Sequence, residues 1–533
     1  MLHQPDIASK AEAGYHCAAT RPAELTSNET LMHFEPRADL KPNTLDFERL
    51  PLVKPTGFRE YDARWRFPEE INLMGLNALG LGLAVIFERR AVPKRIVVGH
   101  DFRWYSASVK QALMTGLLAG GFEVHDIGLA MSPMAYFAQF ALDVEGVAMV
   151  TASHNDNGWT GIKMGLNRPL TFGPEEMSEL KEIVLSGAYA QALTRGNGRY
   201  VPVPDLFERY ASALTDRPKY KRRMKVIAAC GNGTAGAFAP KILERLGLEV
   251  IPLDAELDHT FPRYNPNPED MKMLHAMADA VRAHGADVAL GFDGDGDRCG
   301  IVDNEGHEIF ADTVGVMLAR DLSAVYPNAV FVADVKSTGL FMTDPVLNAN
   351  GAKSLYWKTG HSYMKRYTHE QKGLVGFGKS GNLSFQPPLG RGYDDGLVAA
   401  IAVCDMLERA PGKTVADLRR ELPKTWQSPT MSPHCDDEKK YGVVATIVAE
   451  YEKAAKSGTL IAGQPIRDLV TVNGVRVTLA DGTWGLVRAS SNKPELVVVV
   501  ESPVSEANRN AIFRDIEARL ARFTEVGEFN QKL

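Results

Sequence analysis

The chain has 533 residues, 45% of them hydrophobic, which is enough for several packed cores and too much for one ordinary domain, so three or four domains are expected. Its formal charge of -6, from 60 basic and 66 acidic residues of interspersed sign, excludes a global attraction for nucleic acid or an anionic membrane, so any anion must be held by local groups. The five cysteines (Cys17, Cys230, Cys299, Cys404 and Cys435) form no paired spacing, which argues against a disulfide framework or zinc site and for a reducing cytoplasm. The N-terminal stretch lacks a basic flank followed by an apolar core. The most apolar run, 73–87, is interrupted by Asn77 and is too short for a bilayer, so a soluble protein that is not exported is expected.

Residues 1–53 are polar, dotted with proline and without periodicity, and read as a flexible or loosely docked extension. One unit then recurs. "RIVVGHD", the helical "SVKQALMTGLLAGG" and "FEVHDIG" give strand, loop, helix, glycine and strand; "KVIAACGNGTAG", "FAPKILERLG" and "LEVIPLD" repeat that order; "AVFVADVKSTG", "LFMTDPVLNANG" and "AKSLYWKTG" form a weaker third copy. The order favours partly parallel sheets with ligand-binding loops at the strand ends. "TWGLVRASSNKPELVVVVES" followed by "SEANRNAIFRDIEARLARF" reads as strands closing on an amphipathic helix, a smaller α+β domain. The expected division is 54–205, 206–308 and 309–425 for three α/β domains and 426–533 for the last.

Three loops carry the chemistry. A buried strand over 147–150 runs into "TASHNDNG", where Ser153 is presented with Gly158 and Gly161 to let backbone approach a ligand and Lys163 to reach the hydroxyl. A lone serine is commonly a turn or capping residue, but the loop lacks the Gly-x-Ser-x-Gly elbow of acyl transfer and suits phosphoryl chemistry better. "GFDGDGDRCG" places Asp293, Asp295 and Asp297 at alternate positions, where they would repel one another without a hard divalent cation. Arg298 and Asn304 stand where a calcium EF-hand needs glycine and glutamate, so magnesium, which also takes a phosphate oxygen, is preferred. In "VRASSNKPE", Arg488, Ser490, Ser491 and Asn492 make either an ordinary turn or a metal-free phosphate cradle.

Together with "FREYDARW", these motifs resemble the α-D-phosphohexomutases of the bacterial phosphomannomutase/phosphoglucomutase type, and the resemblance runs from about Phe58 to the C-terminus. It implies a four-domain architecture around a central cleft, three related α/β domains with mixed sheets plus a C-terminal α+β domain. It also implies an intramolecular phosphotransferase that interconverts hexose 6-phosphate and hexose 1-phosphate (mannose or glucose) through a phosphoserine and a hexose 1,6-bisphosphate. On this resemblance Ser153 is the phosphorylated residue, flanked by His154, and it joins Asp293, Asp295 and Asp297 in holding Mg2+. Arg64 and Lys163 stand beside the reacting oxygen, and Arg298 faces the phosphate. Lys358 and His361 contact the sugar, and Arg488, Ser490, Ser491 and Asn492 grip the distal phosphate. Glucose or mannose 1,6-bisphosphate is the implied activator and a small phosphosugar the implied partner, with neither nucleic acid nor membrane involved.

One loop departs from the family pattern Gly-Glu-x-Ser-Gly-His. Here "FGKSGNLSF" has Gly378 at the glutamate position and Asn382 at the histidine, leaving Lys379, Ser380 and Asn382 as sugar-loop candidates. A missing charged hydrogen-bonding contact is commonly worth roughly 1.5 to 3 kcal/mol, so turnover weakened by about one to two orders of magnitude is compatible with the sequence. Asp156 also replaces the proline that often follows "SHN". Phosphoglucosamine mutase, or a sugar-phosphate-binding protein that has lost turnover, are the alternatives.

Overall fold

A computed structural model describes residues 50–192, 197–491 and 493–531. The expected N-terminal extension lies outside the described residues except at its end, where the expectation is corrected. Leu52 and Val53 are buried, and the Leu52 N–H donates to the Asn72 side chain (3.0 Å), so the docked chain begins before residue 54.

The first sheet contains β1 (Ala63–Arg66), β2 (Arg95–His100), β3 (Glu123–Leu129), β4 (Gly146–Val150), β5 (Trp159–Gly165) and β6 (Arg199–Pro202), in the order β1-β5-β4-β2-β3-β6. The second contains β7 (Lys225–Ala229), β8 (Glu249–Leu253), β9 (Val288–Phe292), β10 (Cys299–Asp303) and β11 (Glu308–Ile309), in the order β11-β10-β9-β7-β8. The third contains β12 (Val330–Asp334), β13 (Lys353–Trp357), β14 (Val375–Phe377) and β15 (Leu383–Phe385), in the order β13-β12-β14-β15. In all three, the strand that begins the repeat lies parallel to the next two, and the third of these turns back in an antiparallel hairpin: β4–β5, β9–β10 and β14–β15. The repeat is therefore longer than the strand-helix-strand unit seen in the sequence. Its second half ends in a hairpin whose loop is 151–158, 293–298 or 378–382. β11 straddles position 308, so the second sheet reaches one residue past the expected domain limit.

The expected helix of the third repeat is instead two short ones, Leu340–Thr343 and Pro345–Ala349. Pro345 cannot continue the first, and the Asp344 carboxylate caps the second by accepting from the N–H groups of Val346 and Leu347. The apolar run at 73–87 forms the buried helix Leu73–Arg89, and among the described residues no helix is long and apolar enough to cross a membrane.

The three α/β units meet in one apolar cluster, which runs from Met134 and Tyr136 through Phe238 and Leu290 to Phe331 and Leu397, beside further clusters within the first unit (Leu79, Phe87, Phe122) and the second (Ile227, Met277). The fourth unit is an all-antiparallel sheet of β16 (Trp426–Gln427), β17 (Ile466–Val470), β18 (Val475–Leu479), β19 (Trp484–Ala489) and β20 (Leu496–Ser502), in the order β16-β20-β19-β18-β17. It is covered by the helices Lys440–Ser457 and Glu506–Leu520. It has a separate core around Ile447, Val475, Leu496 and Ile516. A small patch joins it to the third unit, where Val335 meets Trp484, Leu486, Val497 and Val499, and Arg476 donates to the carbonyls of Val335 (2.8 Å) and Ser337 (2.6 Å).

Candidate active site

The first two hairpin loops meet face to face. Ser153 ends the run out of β4 with a left-handed backbone (φ 51°), and its hydroxyl donates to Asp293 Oδ2 (2.9 Å) while lying 3.2 Å from His154 Nδ1. The close approach depends on Gly294, where a Cβ would lie 2.2 Å from the Ser153 carbonyl oxygen. Desolvation pushes the His154 imidazole well below the ordinary histidine range, and Arg298, Arg64 and Lys493 add to the effect, so the ring beside Ser153 is neutral.

Two residues missed in the sequence hold the serine loop. Asp101 accepts from the Ala152 N–H (3.2 Å) and pairs with Arg103, whose Nη2 donates to the carbonyls of Ser153 (3.1 Å) and Asn155 (2.6 Å). Their signal was available, since "HDFRW" puts charged residues at the C-terminal end of a parallel strand.

Asp293, Asp295 and Asp297 are fully buried, with one oxygen from each within 4.8 Å of the others. Burial, with Asp295 adding to it, raises Asp293 to about 6, and burial likewise holds Asp297 well above the usual carboxylate range. Asp295 moves the other way: burial opposes its charge, but Lys163, the Ser132 hydrogen bond and Arg64 together outweigh burial and lower it. The Asp295 Oδ1 atom is buried without a hydrogen-bond partner among the described residues. Three hard oxygens, one of them unsatisfied, fit a divalent cation.

Lys163 does not reach the Ser153 hydroxyl as expected. Its ammonium bonds Asp295 Oδ2 (2.7 Å) and Asp297, because β5 points it across to the metal loop. Although burial opposes its charge, the two carboxylates keep Lys163 well above the ordinary lysine range. Gly161 is not free to approach a ligand either, since a Cβ there would lie 2.3 Å from the Ala63 carbonyl of β1. Arg64 pairs with Asp62 (2.8 Å) and Arg298 lies 3.8 Å from Asp293. Each keeps a shielded nitrogen without a hydrogen bond among the described residues, and so has a donor for an anion.

The third hairpin loop leans on the second. Asn382 Nδ2 donates to Asp297 Oδ1 (3.2 Å) and Asp394 Oδ2 (3.0 Å), and the Ser380 hydroxyl donates to Asn382 Oδ1 (3.3 Å). Lys379, expected to face sugar, is instead paired with Asp312 (2.8 Å), because its buried ammonium needs a counter-charge. His361 has both ring nitrogens shielded and unpartnered among the described residues, and burial lowers it to about 3. The Lys358 ammonium lies 5.5 Å over the Tyr363 ring. Lys336, missed in "DVKSTG", is 7% exposed at the end of β12, and its ammonium has no partner among the described residues.

From the fourth unit, Arg488 is 4% exposed, donates to Ser491 Oγ (3.1 Å) and keeps Nε unpartnered among the described residues. Ser490 Oγ accepts from the Lys493 N–H (3.3 Å), and Asn492 lies outside the described residues. The cluster thus combines a hydroxyl, three carboxylates fit for a cation and several guanidinium donors for phosphate.

Comparison with known proteins matches three family models: phosphoglucomutase/phosphomannomutase α/β/α domain I over residues 55–191, domain II over 208–306 and domain III over 310–426. A phosphomannomutase/phosphoglucomutase of Pseudomonas syringae pv. tomato is 32% identical over 453 residues, covering 85% of this chain and 92% of that protein. A phosphoglucomutase of Neisseria meningitidis serogroup A is 30% identical, covering 84% and 94%. Among solved structures, a phosphoglucomutase/phosphomannomutase family protein from Burkholderia thailandensis superposes with a TM-score of 0.77 at 25% identity, covering 90% of this chain and all of that one.

Proposed function

Because the chain belongs to the phosphoglucomutase/phosphomannomutase family, we propose that it uses Ser153 to interconvert the 6-phosphates and 1-phosphates of mannose and glucose through a hexose 1,6-bisphosphate. The chain is a hexose phosphate mutase, and the finer assignment rests on one observation: the Ser153 hydroxyl is bonded directly to the carboxylate cluster.

In the proposed cycle a phosphoryl group rests on Ser153 Oγ, placed there by glucose or mannose 1,6-bisphosphate as activator. A sugar hydroxyl attacks phosphorus, the bond from phosphorus to Ser153 Oγ breaks, and the hydroxyl proton ends on Ser153 Oγ, where Asp293 accepts its hydrogen bond. Asp293, Asp295 and Asp297 would hold Mg2+, which supplies charge neutralisation at the transferring group when bound. Arg64 and Arg298 offer their unpartnered N–H groups to the equatorial oxygens, the positions where a loose transition state gathers charge. Lys163 sets the charge of the carboxylate cluster and is a positioning residue. Arg488, Ser490 and Ser491 grip the phosphate that is not reacting, and Asn492 belongs to the same loop. His361, Lys358 and Lys336 border the space for the sugar. The bisphosphate then turns over so that its other phosphate faces Ser153.

The four described cysteines are unpaired and buried, which supports a reducing cytoplasm. The glucosamine alternative and a binding protein without turnover rest only on the altered loop at Gly378 and Asn382, and the relatives named above do not favour them. Intact-mass and peptide mass spectrometry after incubation with glucose 1,6-bisphosphate and magnesium is expected to find the phosphate on Ser153. Coupled assays on glucose, mannose and glucosamine 1-phosphates are expected to give turnover on the first two. An unmodified Ser153 would overturn the covalent cycle.

A further inference from the structure

Glu60, in the "FREYDARW" segment, touches three units at once. Its Oε2 accepts from the Tyr363 hydroxyl (2.7 Å) on the helix His361–Glu370 of the third unit. Its Oε1 accepts from the Tyr441 hydroxyl (2.6 Å) on the helix Lys440–Ser457 of the fourth. Next to it, Arg59 pairs with Asp437 of the fourth unit at 3.5 Å. Tyr61 sets its ring edge-to-face against His361 (4.9 Å) and Tyr363 (5.6 Å). The far end of the Tyr441 contact is tied to the phosphate loop, because the neighbouring Lys440 ammonium bonds Asp437 (2.6 Å) and the Lys493 carbonyl (3.0 Å). Burial, and then the Glu60 hydrogen bond, raise both phenols above the ordinary tyrosine range, so both remain donors.

We propose that Glu60 is a positioning residue that clasps the phosphate-gripping fourth unit to the first and third units, fixing the span between Arg488 and Ser153 before substrate arrives. The inference rests on the mutase reading and adds to it the residue that sets the spacing of the site. Two features make such a clasp consequential. The fourth unit has its own core and meets the third through a small patch, and a groove of about 320 Å³ bordered by Phe58, Met177, Lys181 and Ser491 opens beside the clasp. The orientation of this unit is thus set on one side by that patch, with the Arg476 and Glu501 bonds to residues 335–339, and on the other by the ties of Glu60 and Arg59. One substrate must reach both Arg488 and Ser153, so only a narrow range of orientations binds productively, and apparent affinity scales with the fraction of molecules in that range.

The test compares wild type with Glu60→Ala, Glu60→Gln, Tyr441→Phe and Tyr363→Phe, measuring KM and kcat for glucose 1-phosphate and amide hydrogen exchange of the free protein. Glu60→Ala is expected to raise KM about tenfold with kcat changed less than threefold. It should also speed exchange about tenfold at residues 437–445 and 489–495, leaving the second sheet unaffected. Tyr441→Phe, which deletes one oxygen and keeps the packing, should shift both readouts in the same direction by about threefold. Tyr363→Phe should raise KM with a smaller change in exchange, and Glu60→Gln should fall between wild type and Glu60→Ala. Wild-type KM and exchange in both Glu60→Ala and Tyr441→Phe would overturn the clasp. A wild-type protein with no turnover would overturn the mutase reading instead, and the exchange comparison would still decide the clasp.

Discussion

The metal loop and the sugar loop occupy the same place in the same hairpin, one in the second sheet and one in the third, yet they direct their side chains differently. In the loop at 293–298, three carboxylates converge and cations approach them from the first unit. In the loop at 378–382, Lys379 is held by Asp312, Asn382 is held by Asp297 and Asp394, and Gly378 has no side chain to offer. Topology decides where a loop stands. Its chemistry depends on which polar groups the scaffold leaves unpaired. By that measure the loop at 378–382 is a strut behind the loop at 293–298.

Four experiments test this contrast. The largest effect is expected from Asp295→Asn, which removes a metal-loop charge at nearly constant volume: kcat should fall by at least about a thousandfold in a coupled assay with the circular dichroism spectrum unchanged. Activity within tenfold of wild type would erase the distinction between the loops. Lys163→Met comes next. It should cost about a hundredfold in kcat and, by leaving buried carboxylates uncompensated, roughly 3 to 5 kcal/mol in urea unfolding, part of which returns on adding magnesium. In the loop at 378–382, Lys379→Met should lower stability by about 3 kcal/mol because Asp312 loses its cationic partner, while kcat/KM changes less than threefold. A tenfold fall in kcat/KM at unchanged stability would instead return Lys379 to the substrate. The smallest effect concerns magnesium and the wild-type protein: at about a hundred times its dissociation constant it should add about 2.7 kcal/mol, as read by thermal unfolding. Asp295→Asn should abolish that gain and Lys379→Met should keep it.

What the sequence reveals follows the same division. Ser153, the aspartate triad and the Arg488 loop announce themselves because reactive residues cluster within a few positions and are flanked by apolar strands. The hairpins that present them were hidden, since β5 reads "WTGIKMG" and β15 is only three residues long, neither with a clear alternation. Lys163, on β5, and Lys379, in the third hairpin loop, stand close to the motifs that point to them, but each is paired with an aspartate that the local sequence does not indicate. Asp295 and Asp312 lie 132 residues after the first and 67 before the second, and no local pattern encodes such pairings. Glu60 belongs to the same class, with one partner 381 residues away. Leu52 and Val53 read as part of the extension because their polar, proline-dotted context outweighs two apolar side chains.

The backbone at Ser153 also limits which mutations the site can survive. Threonine carries an equivalent hydroxyl, but at φ 51° its β-branched side chain would crowd the main chain where serine is tolerated. A Ser153→Thr substitution, though conservative by chemistry, is therefore among the least neutral available here. The left-handed turn thus restricts the hydroxyl-bearing choices at this position to serine, whatever the chemical likeness of threonine.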